Sequence, residues 1–138
     1  MKYLLDTNVI SETIRKMPDA HVLNWFRTVP SHYLYISVLS FGEIRRGIEK
    51  IKDQSRKEFM TAWLENDLTV WFDERIMSVS IDVADKWGYI TALGTFPAID
   101  SLIASTALVH NMKLVTRNVI DFQAIPGLEI VNPWNFYH

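Results

Sequence analysis

Cysteine is absent from all 138 residues. That excludes a disulfide scaffold, a thiol nucleophile and a thiolate zinc site, and it suits a reducing compartment. Glycine and proline are sparse, at five each, and no linker rich in Pro, Gly or Ser divides the chain. No repeat of roughly 20–50 residues recurs. No apolar run reaches the ~18 residues of a membrane span. The opening MKYLLDTNVISE is too short and too polar for a signal peptide. A soluble, cytoplasmic protein with no membrane partner is expected. Neither sign of charge dominates: 14 basic side chains face 16 acidic ones, for a net charge of −2. Bulk attraction to nucleic acid is therefore missing, and such binding needs a local basic patch. GxGxxG, P-loop and GxSxG motifs are absent. His21, His32, His110 and His138 do not pair at zinc-ligand spacing, so surface or partly buried places are expected for them.

What is present is a core. Hydrophobic residues make up 49% and aromatic residues 12% of the chain, too much for a disordered polymer. The length predicts one domain, residues 1–138, burying roughly two-thirds of its unfolded surface. Lys2 to Leu5 is a short apolar run that stops at Asp6, read as a buried strand. Thr7 to Lys16 reads as a helix halted by Pro18. Asp19 can cap a second, striped by Val22, Leu23, Trp25 and Phe26. Tyr33 to Ser37 is aromatic and β-branched, hence a strand. Ser40 can cap the next helix, where Ile44, Ile48 and Ile51 keep helical spacing. Phe59, Trp63 and Leu64 stripe a partner helix, giving a helical hairpin.

Thr69 to Phe72 (TVWF) predicts a third strand. Ser80 to Leu93 and Ile99 to His110 read as helices, the second small-surfaced through Ala104, Ser105 and Ala107. Lys113 to Thr116 and Leu128 to Val131 complete five strands. Trp25, Trp63, Trp71 and Trp87 are expected in packing, and Trp134 with Phe136 over a hydrophobic edge. Strands alternating with helices predict an α/β fold, with a central, mostly parallel sheet covered on both faces. Ligands of such sheets bind beyond the carboxyl ends of the strands.

Acids stand at several of those ends. Asp6 follows the first strand, Glu43 lies near the start of the helix after the second, Asp100 opens the small-residue helix, and Asp121 lies past the fourth strand. Gathered without a cation they would repel one another and take up protons. Mg²⁺ or Mn²⁺ prefers such oxygens and can activate water and stabilise phosphoryl charge. Each acid also has a local reading. Asp6 can cap the helix from Thr7, Asp100 can cap or favour a helix dipole, Glu43 can pair with Arg46, and Asp121 can hold a turn.

The words around the acids are more specific than the acids. LLDTNVIS, SVLSFGEIRRGIE, PAIDSLIASTAL and LVTRNVIDF follow in that order. Together they resemble a PIN-domain ribonuclease of the VapC and FitB-like toxin group, over nearly the whole chain. The resemblance implies a Rossmann-like PIN domain with an acidic pocket that binds Mg²⁺, or Mn²⁺ in its place, and hydrolyses RNA phosphodiester bonds as an endoribonuclease. Asp6 and Asp100 match the metal-holding acids, and Glu43 the helix glutamate. Thr116 and Asn118 match the polar residues of the last motif. Relatives often carry Asp where this chain has Asn118, so either Asp121 or the neutral oxygen of Asn118 fills the fourth place.

On this reading Asp6 and Asp100 hold the ion directly, and water attacks phosphorus with no covalent intermediate. Glu43 and Asp121 act through water or on a second ion, and all four acids are catalytic. Thr7 and Asn8 orient the first acid or a bound water, or merely cap locally. Phosphate contacts come from Arg45, Arg46 or Arg117; Lys50, Lys52, Arg56 and Lys57 extend the basic run. A solvated helix face explains that run as well. The resemblance further implies neutralisation by a VapB or FitA-like antitoxin, operator DNA bound only through the antitoxin, and a homodimer or larger assembly. Two rivals stand beside it: a catalytically silent PIN-fold binding module in a toxin–antitoxin regulatory complex, and a phosphatase or receiver-type domain. Asn at position 8 weakens the phosphatase form.

Overall fold

The computed structural model describes residues 1–137; His138 lies outside them. The strands are β1 (Lys2–Leu5), β2 (Leu34–Ser37), β3 (Ile76–Met77), β4 (Met112–Val115) and β5 (Ile130–Val131). They form one parallel sheet in the order β3-β2-β1-β4-β5. The chain starts in the middle, winds outward to β3, then returns to the other side of β1. The order therefore reverses between β1 and β4, where Leu5 pairs with Val115. In doubly wound sheets the crevice opens at such a switch point.

The period-two alternation of strand side chains divides the core. Leu5, Leu34, Ile36 and Val115 face one side, packed with Val9, Ile10, Trp25, Ile44, Ile48, Leu64 and Phe72. Leu4, Met112 and Leu114 face the other, packed with Ile90, Ile103, Ala104, Ala107 and Phe122. The first side carries α1 (Thr7–Thr13), α2 (Ala20–Thr28), α3 (Val38–Glu49), α4 (Gln54–Ala62) and α5 (Thr69–Phe72); the second carries α6 (Ile81–Ala92), α7 (Ala98–Val109) and α8 (Val119–Phe122). Small residues let α7 lie close to its neighbours. Ser101, Ala104, Ser105 and Ala107 are buried, and the Trp87 indole N–H donates to Ser101 Oγ at 3.0 Å. The closing turn at Pro133–Asn135 packs Trp134 and Phe136 against the first core, over α2.

Three expectations are corrected. Thr69 to Phe72 is helix, not strand: it continues α4 through a π-helical stretch at Trp63–Leu68. Leu64, Leu68 and Phe72 recur every fourth residue and are fully buried. That helical spacing overrides the strand propensity of TVWF. The third strand is instead Ile76–Met77. The cap of α3 is Ser37, whose hydroxyl accepts from Leu39 N–H at 3.0 Å; Ser40 lies inside the helix. The first helix stops at Thr13, well before Pro18, and Glu12 makes the link. This buried carboxylate accepts from Arg15 and from the backbone N–H of Asp19, at 2.8 Å for the latter.

Candidate active site

Asp6 leaves β1 at the switch point. Its backbone N–H donates to Val115 O at 2.9 Å, which anchors it to β4. Its Oδ1 accepts from Thr7 N–H at 2.8 Å and so starts α1. Its Oδ2 accepts from Thr116 Oγ1 at 2.8 Å and from Asn8 Nδ2 at 3.2 Å. Capping and site building are thus the work of opposite oxygens of one carboxylate. Asp6 is 4% exposed, and burial raises its pKa. The bonds from Thr116, Thr7 and Asn8 oppose that rise, and the charge of Glu43 adds to it.

Thr116, fully buried after β4, also accepts Asn118 N–H at 3.0 Å. Asn8 Oδ1 accepts Arg117 N–H at 3.2 Å. The loop after β4 is therefore tied to Asp6 by side chains that follow β1. Thr7 faces the other way: its hydroxyl donates to Glu43 Oε1 at 2.6 Å and joins α1 to α3. Glu43 also lies 3.8 Å from Arg46. Asp100 stands in the first turn of α7, where Pro97 makes no side-chain cap. Burial first, then the charges of Asp6, Glu43 and Asp121, push its pKa up to about 6. The other three sequence-chosen acids thus each act electrostatically on Asp100, though the four come from four separate elements. Asp121 sits at the exposed rim, in the first turn of α8.

Among the described residues no three acidic or histidine side chains close into a ready metal cage. The donor set is all oxygen, which fits a hard cation. The repulsion that adds to burial in lifting the Asp100 pKa is what a hard cation would relieve.

The basic residues are less uniform. Arg45 is engaged by Glu65 of the π-helical stretch and by Glu49, so it is largely neutralised. Lys57 pairs with Glu49 at 3.4 Å. Arg46 stays mostly exposed, and Arg117 lies over the Trp134 ring, 5.1 Å from its centroid. Among the described histidines, His21 pairs with Asp19 and packs on Tyr137; His32 packs against Tyr33. Asn132 and Asn135, which flank Trp134 beyond β5, were not singled out by sequence. Both lie just past the carboxyl end of β5, the region where ligands of such sheets bind.

The PIN domain family model matches residues 3–128. The chain belongs to the PIN domain family. Three relatives match this PIN domain almost end to end. It is 33% identical to the plasmid stability protein StbB of Pseudomonas syringae pv. tomato, over 95% of this chain and 97% of that protein. It is 30% identical to the VapC ribonuclease Y4jK of Sinorhizobium fredii, over 95% and 96% respectively. It is 30% identical to the toxin FitB of Neisseria gonorrhoeae, over 96% and 98%. Among solved structures, FitAB bound to a DNA fragment superposes with a TM-score of 0.89 at 30% identity, covering 99% of this chain and 98% of that one. Rickettsia felis VapBC2 bound to a promoter DNA fragment gives 0.76 at 26% identity, covering 96% and 98%. The PIN-domain fold expected from the sequence is the fold observed. No described helix is long and apolar enough to cross a membrane.

Proposed function

We propose that this single PIN domain is the ribonuclease toxin of a toxin–antitoxin pair, an endoribonuclease dependent on Mg²⁺ or Mn²⁺ and active in the cytoplasm. The observation that carries the reading is the meeting at the switch point of Asp6, held by Thr7 N–H, Asn8 and Thr116, with Glu43, tied in through the Thr7 hydroxyl, and Asp100, whose pKa is lifted to about 6 by burial and then by three other carboxylates. Paying for such repulsion makes sense where a cation belongs. Relatives named VapC ribonuclease and toxin FitB support RNA as substrate and toxin as role. Neighbours solved as FitAB and VapBC2 complexes on DNA support an antitoxin partner that carries the DNA contact.

In this reading Asp6 and Asp100 hold the ion. Asp6 is fixed for the task by Thr7 N–H, Asn8 and Thr116. Glu43, held by Thr7 Oγ1, and Asp121, at the rim, would support the ion without binding it directly or take a proton from water. The cation, when bound, activates water and offsets charge on the phosphoryl oxygens. Arg117 and Arg46 stand outside the acids and contact the RNA, Arg46 through a flanking phosphate. Arg45 contributes least, because Glu65 and Glu49 already occupy it.

The test is incubation of purified protein with unstructured RNA in Mg²⁺, in Mn²⁺ and in EDTA. Internal cuts with either metal and none in EDTA are expected, and folded Asp6→Ala and Asp100→Ala variants should leave RNA intact. Cutting that survives both substitutions overturns the reading. So does a metal-supplied wild type that binds antitoxin and never cuts.

A further inference from the structure

An open groove of about 560 Å³ runs between the exits of β4 and β5. One wall is the segment 117–121; the other is Asn132 and Asn135. The groove is tied to the acids. Arg117 N–H bonds to Asn8 Oδ1 and Asn118 N–H to Thr116 Oγ1, and both acceptor residues donate to Asp6. Whatever lies in the groove is thereby held in register with Asp6.

Its chemistry is that of unspent donors beside a flat surface. Among the described residues the Arg117 side chain has no carboxylate partner; it rests on the Trp134 ring. Asn132 commits Oδ1 to Trp134 N–H at 3.0 Å, which leaves its Nδ2 to donate. The side-chain amides of Asn118 and Asn135 make no hydrogen bond among the described residues. Ile120, 79% exposed, adds an apolar face. An anion is poorly served here, since Asp121 shares the groove with its one cation. An apolar peptide anchor finds no enclosed pocket. A single-stranded RNA base fits: such bases stack on aromatic or guanidinium planes and are read along their edges.

We propose that this groove is a nucleobase subsite, holding the unpaired base next to the cut bond and selecting guanine through Arg117, Asn132 and Asn135. Guanine offers two adjacent acceptors, O6 and N7, which match an arginine fork. The proposal rests on the ribonuclease reading for its substrate, but its test can fail separately.

The binding arm uses fluorescence anisotropy in EDTA, where RNA stays whole. Labelled hexanucleotides differ at one position, and the proteins are wild type, Asn135→Ala and Arg117→Lys. Wild type should prefer guanine by about 5- to 100-fold, and each variant should flatten that preference. The cutting arm sequences the ends made from a randomised RNA pool in Mg²⁺. Guanine enrichment beside the cut should fade in both variants, with cutting slower but still dependent on Asp6. Asn135 is exposed, so its variant should keep the wild-type melting temperature. Equal binding of all four bases by wild type overturns the subsite, as does an unchanged base profile in both variants. So does loss of antitoxin affinity with RNA selectivity intact, which assigns the groove to the antitoxin. If wild type never cuts RNA, the ribonuclease reading fails, and the binding arm still decides the groove.

Discussion

Asp100 is where stability and activity part. Its carboxyl pKa rises from 3.8 to about 6, first through burial and then through Asp6, Glu43 and Asp121. Between those two values the native protein holds a proton that the unfolded chain has released. Stability therefore falls as pH climbs through that window, and above it the native state carries an unfavourable charge. Two pKa units correspond to about 3 kcal/mol. The side chain is only part-buried, so solvent screening reduces this to roughly 1–2 kcal/mol. The carboxylate also sits in the first turn of α7, where it gains about 0.3–1 kcal/mol from the helix dipole.

Asp100→Asn removes the repulsion and the dipole gain together, for a net stabilisation of roughly 0.5–1.5 kcal/mol. Urea unfolding in EDTA at about pH 8 should show that gain, and at about pH 4 the two proteins should nearly coincide. Added Mg²⁺ should stabilise wild type by mass action and the variant less, at the same metal concentration. A variant that is less stable than wild type at about pH 8 in EDTA would refute the reasoning, because Asp100 would then have a partner in its ionised state.

Three further substitutions probe separate links. Thr116→Val keeps shape but removes the hydroxyl that donates to Asp6 and accepts Asn118 N–H. Cleavage at saturating metal should fall by about 10- to 100-fold and stability by about 1–3 kcal/mol; a change within about twofold in rate contradicts the positioning role. Ser40 is fully buried, and its Oγ has no partner among the described residues. Ser40→Ala should be neutral or stabilising by up to about 1 kcal/mol in thermal melts, and a comparable loss would reveal a bond. Ser37→Ala removes the cap of α3 and should cost about 1 kcal/mol; an unchanged urea midpoint would show the cap to be dispensable.

Local signals located most elements. Asp19 caps where capping chemistry predicts, and LYIS is a strand. The failure at TVWF has a physical cause. Four β-branched and aromatic residues score as strand, yet the buried repeat of Leu64, Leu68 and Phe72 extends a helix that begins at Gln54. Only a longer window exposes that period. At the site, the strand ends pointed to the four acids and the segment motifs matched Asp6, Glu43 and Asp100, but no motif shows how each is held. Asp6 and Thr116 are 110 positions apart, and their bond exists because β1 and β4 are neighbours in the sheet. Thr7 offered two readings in the sequence; the fold gives its amide to Asp6 and its hydroxyl to Glu43. Arg45 looked like a phosphate contact because Glu65 lies 20 positions away, on an element read only as an apolar stripe.

The two innermost acids are built differently, and that difference assigns them different behaviour. Asp6 receives three donors, so much of its charge is satisfied by the protein itself. The Asp100 side chain receives no hydrogen bond among the described residues, and nearby charges repel it. Asp6 is then a fixed anchor, whereas Asp100 gains its missing partner only when a cation arrives. Near pH 6 about half of the metal-free molecules hold a proton on Asp100, and cation binding must expel it. Calorimetric titration of Mg²⁺ at about pH 6, in buffers of different ionisation enthalpy, should register release of roughly half a proton per ion; at about pH 8 the release should vanish. Asp100→Asn should cut the release to what Asp6, whose pKa burial also raises, contributes, while leaving the Asp6 hydrogen bonds in place. Release of the same size at both pH values would mean that the titrating group is not Asp100, and the division of labour between the two aspartates would be lost with it.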